Sequence, residues 1–228
     1  MSDLEQHMGE LRRRLIYSVL SVALFSGTAF YFSRPAIKFL KQDLSVQFHA
    51  MQPFEVFYTQ LRLSIFLGLA VATPVILYHA LRFAAPGLEK DEYRAARNFL
   101  PFSTVLFGAG AVFSYQYVVK TSLNFFQSFS THASVELAWG LSSVVGYAVR
   151  ISAYTGIFFQ VPIAASILAK AGLLTSAKMK KYRNYFIVAV LVTAAAATPP
   201  DIITQLLITG PVILLYQLSI YMVERINS

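Results

Sequence analysis

Three carboxylates crowd into the segment LRFAAPGLEKDEYRAAR at residues 81–97: Glu89, Asp91 and Glu92. They stand among Arg82, Lys90, Arg94 and Arg97, between two long apolar runs. Acids kept among cations need a partner. The bland partner is the neighbouring cations themselves; the other is a ligand that arrives from outside. Pro86-Gly87 breaks the chain just before the acids and sets a turn. Other chemistry is thin. There is no Walker motif, GxGxxG, HExxH or G-x-S-x-G elbow, and His7, His49, His79 and His132 are dispersed without metal-ligand spacing. Asp201 stands at the end of an apolar run with no second aspartate beside it, so an intramembrane aspartyl protease is not indicated. The chain reads as a non-enzyme that needs no cofactor and no metal.

Polar residues inside the apolar runs are few: Arg62, Arg150, Gln160 and Gln217. An ionisable group in a bilayer is costly and is a functional candidate by default. The plain alternative for Arg150 is that it snorkels to the nearer interface. For Gln160 and Gln217 it is hydrogen bonding between helices.

These residues must be positioned by a membrane scaffold. The chain has 228 residues, is 56% hydrophobic and only 13% charged, with a mean hydropathy of +0.56. One soluble core of this length cannot hide so much apolar surface, whereas lipid accommodates it. A net charge of +8 suggests nucleic acid in a soluble protein. Here the basic residues lie between apolar runs and form no patch interleaved with aromatics, so they read as anchors and no nucleic-acid partner is implied. The absence of cysteine excludes disulfides, zinc–thiolate sites and a cysteine nucleophile. The first apolar run is long enough to span and has a mixed charged flank, unlike a cleaved signal sequence.

Six spans can be drawn, at about 15–33, 60–81, 98–119, 143–169, 184–198 and 202–222, forming one membrane domain of residues 1–228. About 20 helical residues cross a hydrocarbon core of about 30 Å. The first four spans qualify. The fifth is short and stops at Thr198-Pro199-Pro200-Asp201, and Gly210-Pro211 interrupts the sixth. The last two therefore read as a short or kinked hairpin, which thins the bilayer locally, leaves a water-accessible recess, or is simply packed by its neighbours.

Lys and Arg set the orientation. One side carries Arg12–Arg14, the 82–97 loop, Lys170, Lys178, Lys180, Lys181, Arg183 and Arg225, and the other only Arg34, Lys38, Lys41 and Lys120. Both termini are expected in the cytoplasm. Residues 4–15 place Leu4, Met8, Leu11 and Leu15 at helical spacing, as in a surface helix running into the first span. Its Glu10 and Arg14 are spaced for an i,i+4 pair worth about 0.3–0.5 kcal/mol. Residues 35–44 suit a short interfacial helix, and Phe125, Phe126, Phe129 and Trp139 an aromatic belt.

Five segments, in order along nearly the whole chain, resemble the TatC family, the multispanning receptor subunit of the twin-arginine protein translocase. They are HMGELRRRL at 7–15, MQPFEVF at 51–57, ATPVILYHALRFAAPGLEKDE at 72–92, TGIFFQVPI at 155–163 and TPPDIITQ at 198–205. The resemblance implies an all-α integral membrane protein of six helices in a concave, glove-like bundle. It lies in an energy-transducing membrane, prokaryotic or organellar, most simply the bacterial plasma membrane. The implied partners are twin-arginine signal peptides, single-span TatA/TatB-type subunits, other copies of the chain, and membrane lipid, with transport driven by the proton-motive force.

The signal-peptide site implied by the resemblance falls on Glu10 and Arg12, and on Phe83, Pro86, Leu88 and Glu92. Two adjacent arginines would each fork onto a carboxylate through two parallel hydrogen bonds, which lysine cannot do. Polar sites for partners or structure fall on Pro53, Arg150, Gln160, Asp201 and Gln217. Many relatives have Glu where Gln160 and Gln217 stand, so the hydrogen bonding is kept and the charge is lost. The residues alone leave a second reading, a small secondary transporter or channel. Its signs would be broken helices at Pro199-Pro200 and Gly210-Pro211, with Arg150 and Gln160 in a cavity.

Overall fold

The computed structural model describes residues 3–44, 47–84, 90–132, 138–197 and 202–227. Those residues are almost wholly helical. The helices are α1 (Asp3–Leu44), α2 (Glu55–Ala84), α3 (Lys90–Arg97), α4 (Leu100–Phe113), α5 (Lys120–His132), α6 (Leu141–Phe158), α7 (Val161–Lys170), α8 (Ser176–Ala197) and α9 (Ile202–Asn227). A π-helical stretch, Ser114–Val119, joins α4 to α5. Helices α6 and α7 follow one another across a break at Phe159–Gln160. Among the described residues five segments are long and apolar enough to cross a membrane: Met8–Leu44, Glu55–Phe83, Leu100–Ser130, Leu141–Lys170 and Ile202–Ile226. Helix α8 stands where the fifth span was expected; its first turns carry Lys178, Lys180, Lys181 and Arg183, which leaves it a shorter apolar remainder.

Contacts fix which ends lie together. Ring pairs Tyr17–His79 and Phe30–Phe57 show α1 and α2 antiparallel. Leu81 of α2 packs with Leu100 of α4, beside Tyr93 and Ile167. Tyr216 of α9 stacks on Phe186 of α8, with centroids 4.1 Å apart, and its hydroxyl donates to Met179 O at 2.9 Å. The start of α1, the α2–α3 region, the end of α7, the start of α8 and the end of α9 thus share one end of the molecule, the terminal end. The opposite, far end holds Leu44, Phe48, Tyr115, Trp139 and the start of α6. There a two-residue parallel bridge pairs Phe48 with Trp139 and His49 with Gly140.

The core lies among the later helices. One cluster joins Val118, Leu123, Val144, Tyr147, Ile151, Ala194 and Ile208 near the far end. Another joins Ala165, Ala169, Met179, Tyr216, Ile220 and Val223 near the terminal end. Many interface positions are small hydroxyl residues, and Thr59, Ser64, Ser103, Ser122, Ser166 and Ser219 each bond a carbonyl of their own helix. Satisfied this way, a hydroxyl can be buried against a neighbouring helix in lipid. Helix α1 stands outside the core clusters and packs on α2, and its most apolar window holds no fully buried residue. The close approach occurs at Gly68, where a Cβ would lie 2.5 Å from the backbone nitrogen of Ser26.

Two expectations need correction. Residues 35–44 form no separate interfacial helix: α1 runs unbroken from Asp3 to Leu44, with Pro35 inside it, and joins the 4–15 segment, the first apolar run and 35–44 in one helix. Gly210-Pro211 does not interrupt the sixth span either, because α9 continues through it for 26 residues. Proline removes one amide donor, but neighbouring helices can hold a membrane helix in shape around it.

Candidate functional site

The terminal end gathers the expected recognition segments. Glu10 lies two turns into the described part of α1, half-buried, and its Oε1 accepts from Arg14 Nη2 at 2.8 Å and Nε at 3.3 Å. Arg12, two residues on, is exposed. Across from them α2 presents Arg82, within electrostatic reach of Glu10, and Arg82 sits over the ring of Tyr93 at 6.0 Å. Tyr93 belongs to α3, the short helix that also carries Glu92. Three chain segments thus come near one another here, α1 through the charge of Glu10 acting on Arg82 of α2, and α3 through Tyr93 beneath Arg82. Phe83 is half-buried at the end of α2. Pro86, Leu88 and Glu89 lie outside the described residues, and of Glu92 only the place on α3 is described. At the same end, Lys180 of α8 pairs with Glu224 of α9 at 3.1 Å, with both side chains about half exposed.

This surface is made of charged side chains and exchangeable pairs. A carboxylate held by a guanidinium on its own helix can trade that partner for another guanidinium without leaving its charge bare. Among the described residues, no group of His, Asp or Glu stands close enough together to hold a metal ion.

The remaining expected polar sites are scattered. Gln160 fills the break between α6 and α7, and its Nε2 donates to Ser103 O of α4 at 3.2 Å and to Gly156 O at 3.4 Å. Its Oε1 is buried and has no hydrogen-bond partner among the described residues. Gln217 is exposed on α9 and Arg150 is exposed on α6. Pro53 lies in the turn before α2, at the far end, and Asp201 is outside the described residues.

One residue that carries much of the far end was missed in the sequence. Glu55 is buried, its Oε2 accepts from the backbone N–H of Met51 at 2.5 Å and of Gln52 at 3.3 Å, and its Oε1 accepts from Ser142 N at 2.6 Å. It thereby closes the start of α2 on itself and fastens it to the start of α6. The available signal was its place as the acid opening an apolar run, where a carboxylate suits a helix N-terminus. Nearby, Tyr115 Oη and Lys120 Nζ both reach Asp43 Oδ2, at 2.5 and 2.7 Å, tying the end of α1 to the π-helical stretch.

The match to known proteins covers the same arrangement of helices. The protein-family model of Sec-independent protein translocase protein (TatC) matches residues 6–211. A crystal structure of the twin-arginine translocase receptor TatC superimposes with a TM-score of 0.83 at 33% identity, covering 94% of this chain and 98% of that one. The chain belongs to the TatC family. The Aquifex aeolicus TatC is 33% identical over 225 residues, 96% of this chain and 93% of that protein. The Helicobacter pylori protein is 31% identical over 99% of this chain and 88% of its own length. A chloroplastic TATC from rice is 36% identical over 96% of this chain, which spans 62% of that longer relative. The all-α, six-helix expectation is met by these matches and by the described helices together.

Proposed function

We propose that this chain is the receptor of a twin-arginine protein translocase, non-enzymatic, binding signal peptides at its terminal end. The observation that carries the reading is the approach of Glu10, Arg82 and Tyr93 from three segments, with Glu92 beside Tyr93. A signal peptide with adjacent arginines would exchange its guanidiniums for Arg14 at Glu10 and reach Glu92 with the second. Phe83 and Leu88 would meet the apolar part of the peptide. A cytoplasmic position for this end, with both termini inside, is supported by the bias of basic residues at Arg12–Arg14, Lys178, Lys180, Lys181 and Arg225. Single-span TatA/TatB-type subunits and further copies of the chain would assemble on the lipid-facing helices, and the proton-motive force would supply the energy.

The test is binding of an Arg-Arg and a Lys-Lys signal peptide to the full chain in membranes. Tighter binding of the Arg-Arg peptide is expected, and it should vanish in the double variant E10K/E92K while insertion persists. Equal affinity for the two peptides, or unchanged crosslinking in the double variant, would sink the site. Of the signs of the transporter reading, Gly210-Pro211 does not break α9 and Arg150 is exposed on α6, whereas Gln160 is half-buried at a helix break and Pro199-Pro200 lie outside the described residues.

A further inference from the structure

Arg62 and Arg150 take no part in the receptor site, and both are exposed on membrane-spanning helices. Arg62 is the eighth residue of α2 and Arg150 the tenth of α6. At about 1.5 Å per residue they lie roughly 10 and 13 Å along the helices from the far-end starts. The two helices run the same way, since Glu55 at the start of one holds Ser142 at the start of the other. Both arginines are exposed, and among the described residues no carboxylate lies within ion-pair distance of either.

Arg62 reaches across to α6. Its guanidinium lies against Gly146, in the space a Cβ there would take, and Nη1 donates to Ser142 O at 3.4 Å. Arg150 stands one turn further along α6 from Gly146, and long helical side chains lean toward the N-terminus of their helix. From Arg150 that direction leads back toward Gly146 and the far-end interface, where long cationic side chains settle in a bilayer.

Beneath Arg62 a groove of about 420 Å³ runs between α2 and α6, walled by Tyr58, Ile65, Leu69, Val149 and Ala153. From the far end inward, the order is phenol, guanidinium, then aliphatic wall. That is the order of a phospholipid: headgroup, phosphate, acyl chain.

We propose that the α2–α6 groove binds a phospholipid of net negative charge from the far-side leaflet, its phosphate on Arg62 and Arg150 and one acyl chain along Ile65 and Val149. A guanidinium cannot shed its proton to escape hydrocarbon, and a phosphate offers it two forked acceptors. Two guanidiniums facing one phosphate leave a positive remainder. An anionic headgroup complements that remainder, whereas the cationic choline of a zwitterionic lipid does not.

The experiment titrates the purified full chain in detergent with phosphatidylglycerol or phosphatidylcholine of identical acyl chains and counts bound lipid by native mass spectrometry. Phosphatidylglycerol should bind at a tenfold or lower concentration than phosphatidylcholine. R62Q/R150Q should erase the preference, R62K/R150K should keep part of it, and R150Q alone, away from the Gly146 contact, should reduce it. K38Q/K41Q removes equal charge from the far-end surface and should leave the preference intact. Equal binding of the two lipids, or an undiminished preference in R62Q/R150Q and R150Q, overturns the proposal. So does loss of the preference in K38Q/K41Q alone. Saturable capture of a single-span peptide with a glutamate in its outer third, with no lipid preference, would reassign the groove to a protein and also overturn it.

Discussion

Glu10 and Glu55 are the same side chain at opposite ends of the molecule, put to different uses. Glu55 is buried and saturated by three backbone amides from two segments. Backbone amides cannot leave, so this carboxylate is structural and closed to ligands. Glu10 is half-buried and held by the side chain of Arg14, one turn away. A side-chain partner can swing aside. The far end is thus fastened by main-chain contacts, including the Phe48–Trp139 bridge. The terminal end is assembled from exchangeable charges. A receptor needs its rigid frame and its adaptable surface in different places, and these two glutamates mark them.

The sharpest way to break that contrast is Glu55→Ala. It would strand three amide donors at the α2 and α6 starts, and a buried donor without a partner pays its full desolvation cost. We expect a larger drop in thermal midpoint from it than from any single substitution at the terminal end, read by fluorescence-detected unfolding in detergent. A variant as stable as the parent would mean that the far end is not held by Glu55. Next is Gly68→Ala, which presses a methyl group onto the Ser26 backbone and should loosen α1 from α2 at a cost of about 1–3 kcal/mol. Protease accessibility of α1 would show it, and unchanged protection would place the close contact elsewhere.

Glu10→Gln should do the opposite of Glu55→Ala. Stability should change by no more than about 0.5 kcal/mol, the worth of an exposed helical pair. Affinity for an Arg-Arg signal peptide should fall about tenfold or more, as expected for a lost charge-assisted fork. Lost stability with unchanged affinity would reverse the roles assigned to the two glutamates. The smallest effect is expected from Arg14→Gln. Removing the resident guanidinium should tighten peptide binding by about twofold, the equivalent of one i,i+4 pair. Weaker binding would show that Arg14 positions Glu10 rather than competing for it.

Much of the architecture could be read from residue order. Long apolar runs, their number and the placement of Lys and Arg follow from the cost of putting charges and unpaired backbone in lipid, and that cost acts locally along the chain. The break at Phe159–Gln160 was less visible, although Pro162 near the α7 start is its signal. Helix ends at α1 were underestimated because the flanking amphipathic segments continue the same helical register. The continuity of α9 through Pro211 could not be read locally, because a proline's effect depends on what packs around it.

For the candidate site, the sequence by itself determined which acids and aromatics stand near the terminal end, since 7–15 and 81–97 flank membrane spans on the same basic side. Only the tertiary structure decided that Glu10, Arg82 and Tyr93 come near one another, and that Arg62 lies on Gly146, 84 residues away. The physical reason is range. Hydropathy and charge act on each segment alone, whereas a carboxylate becomes strut or receptor through the donors that other segments bring to it.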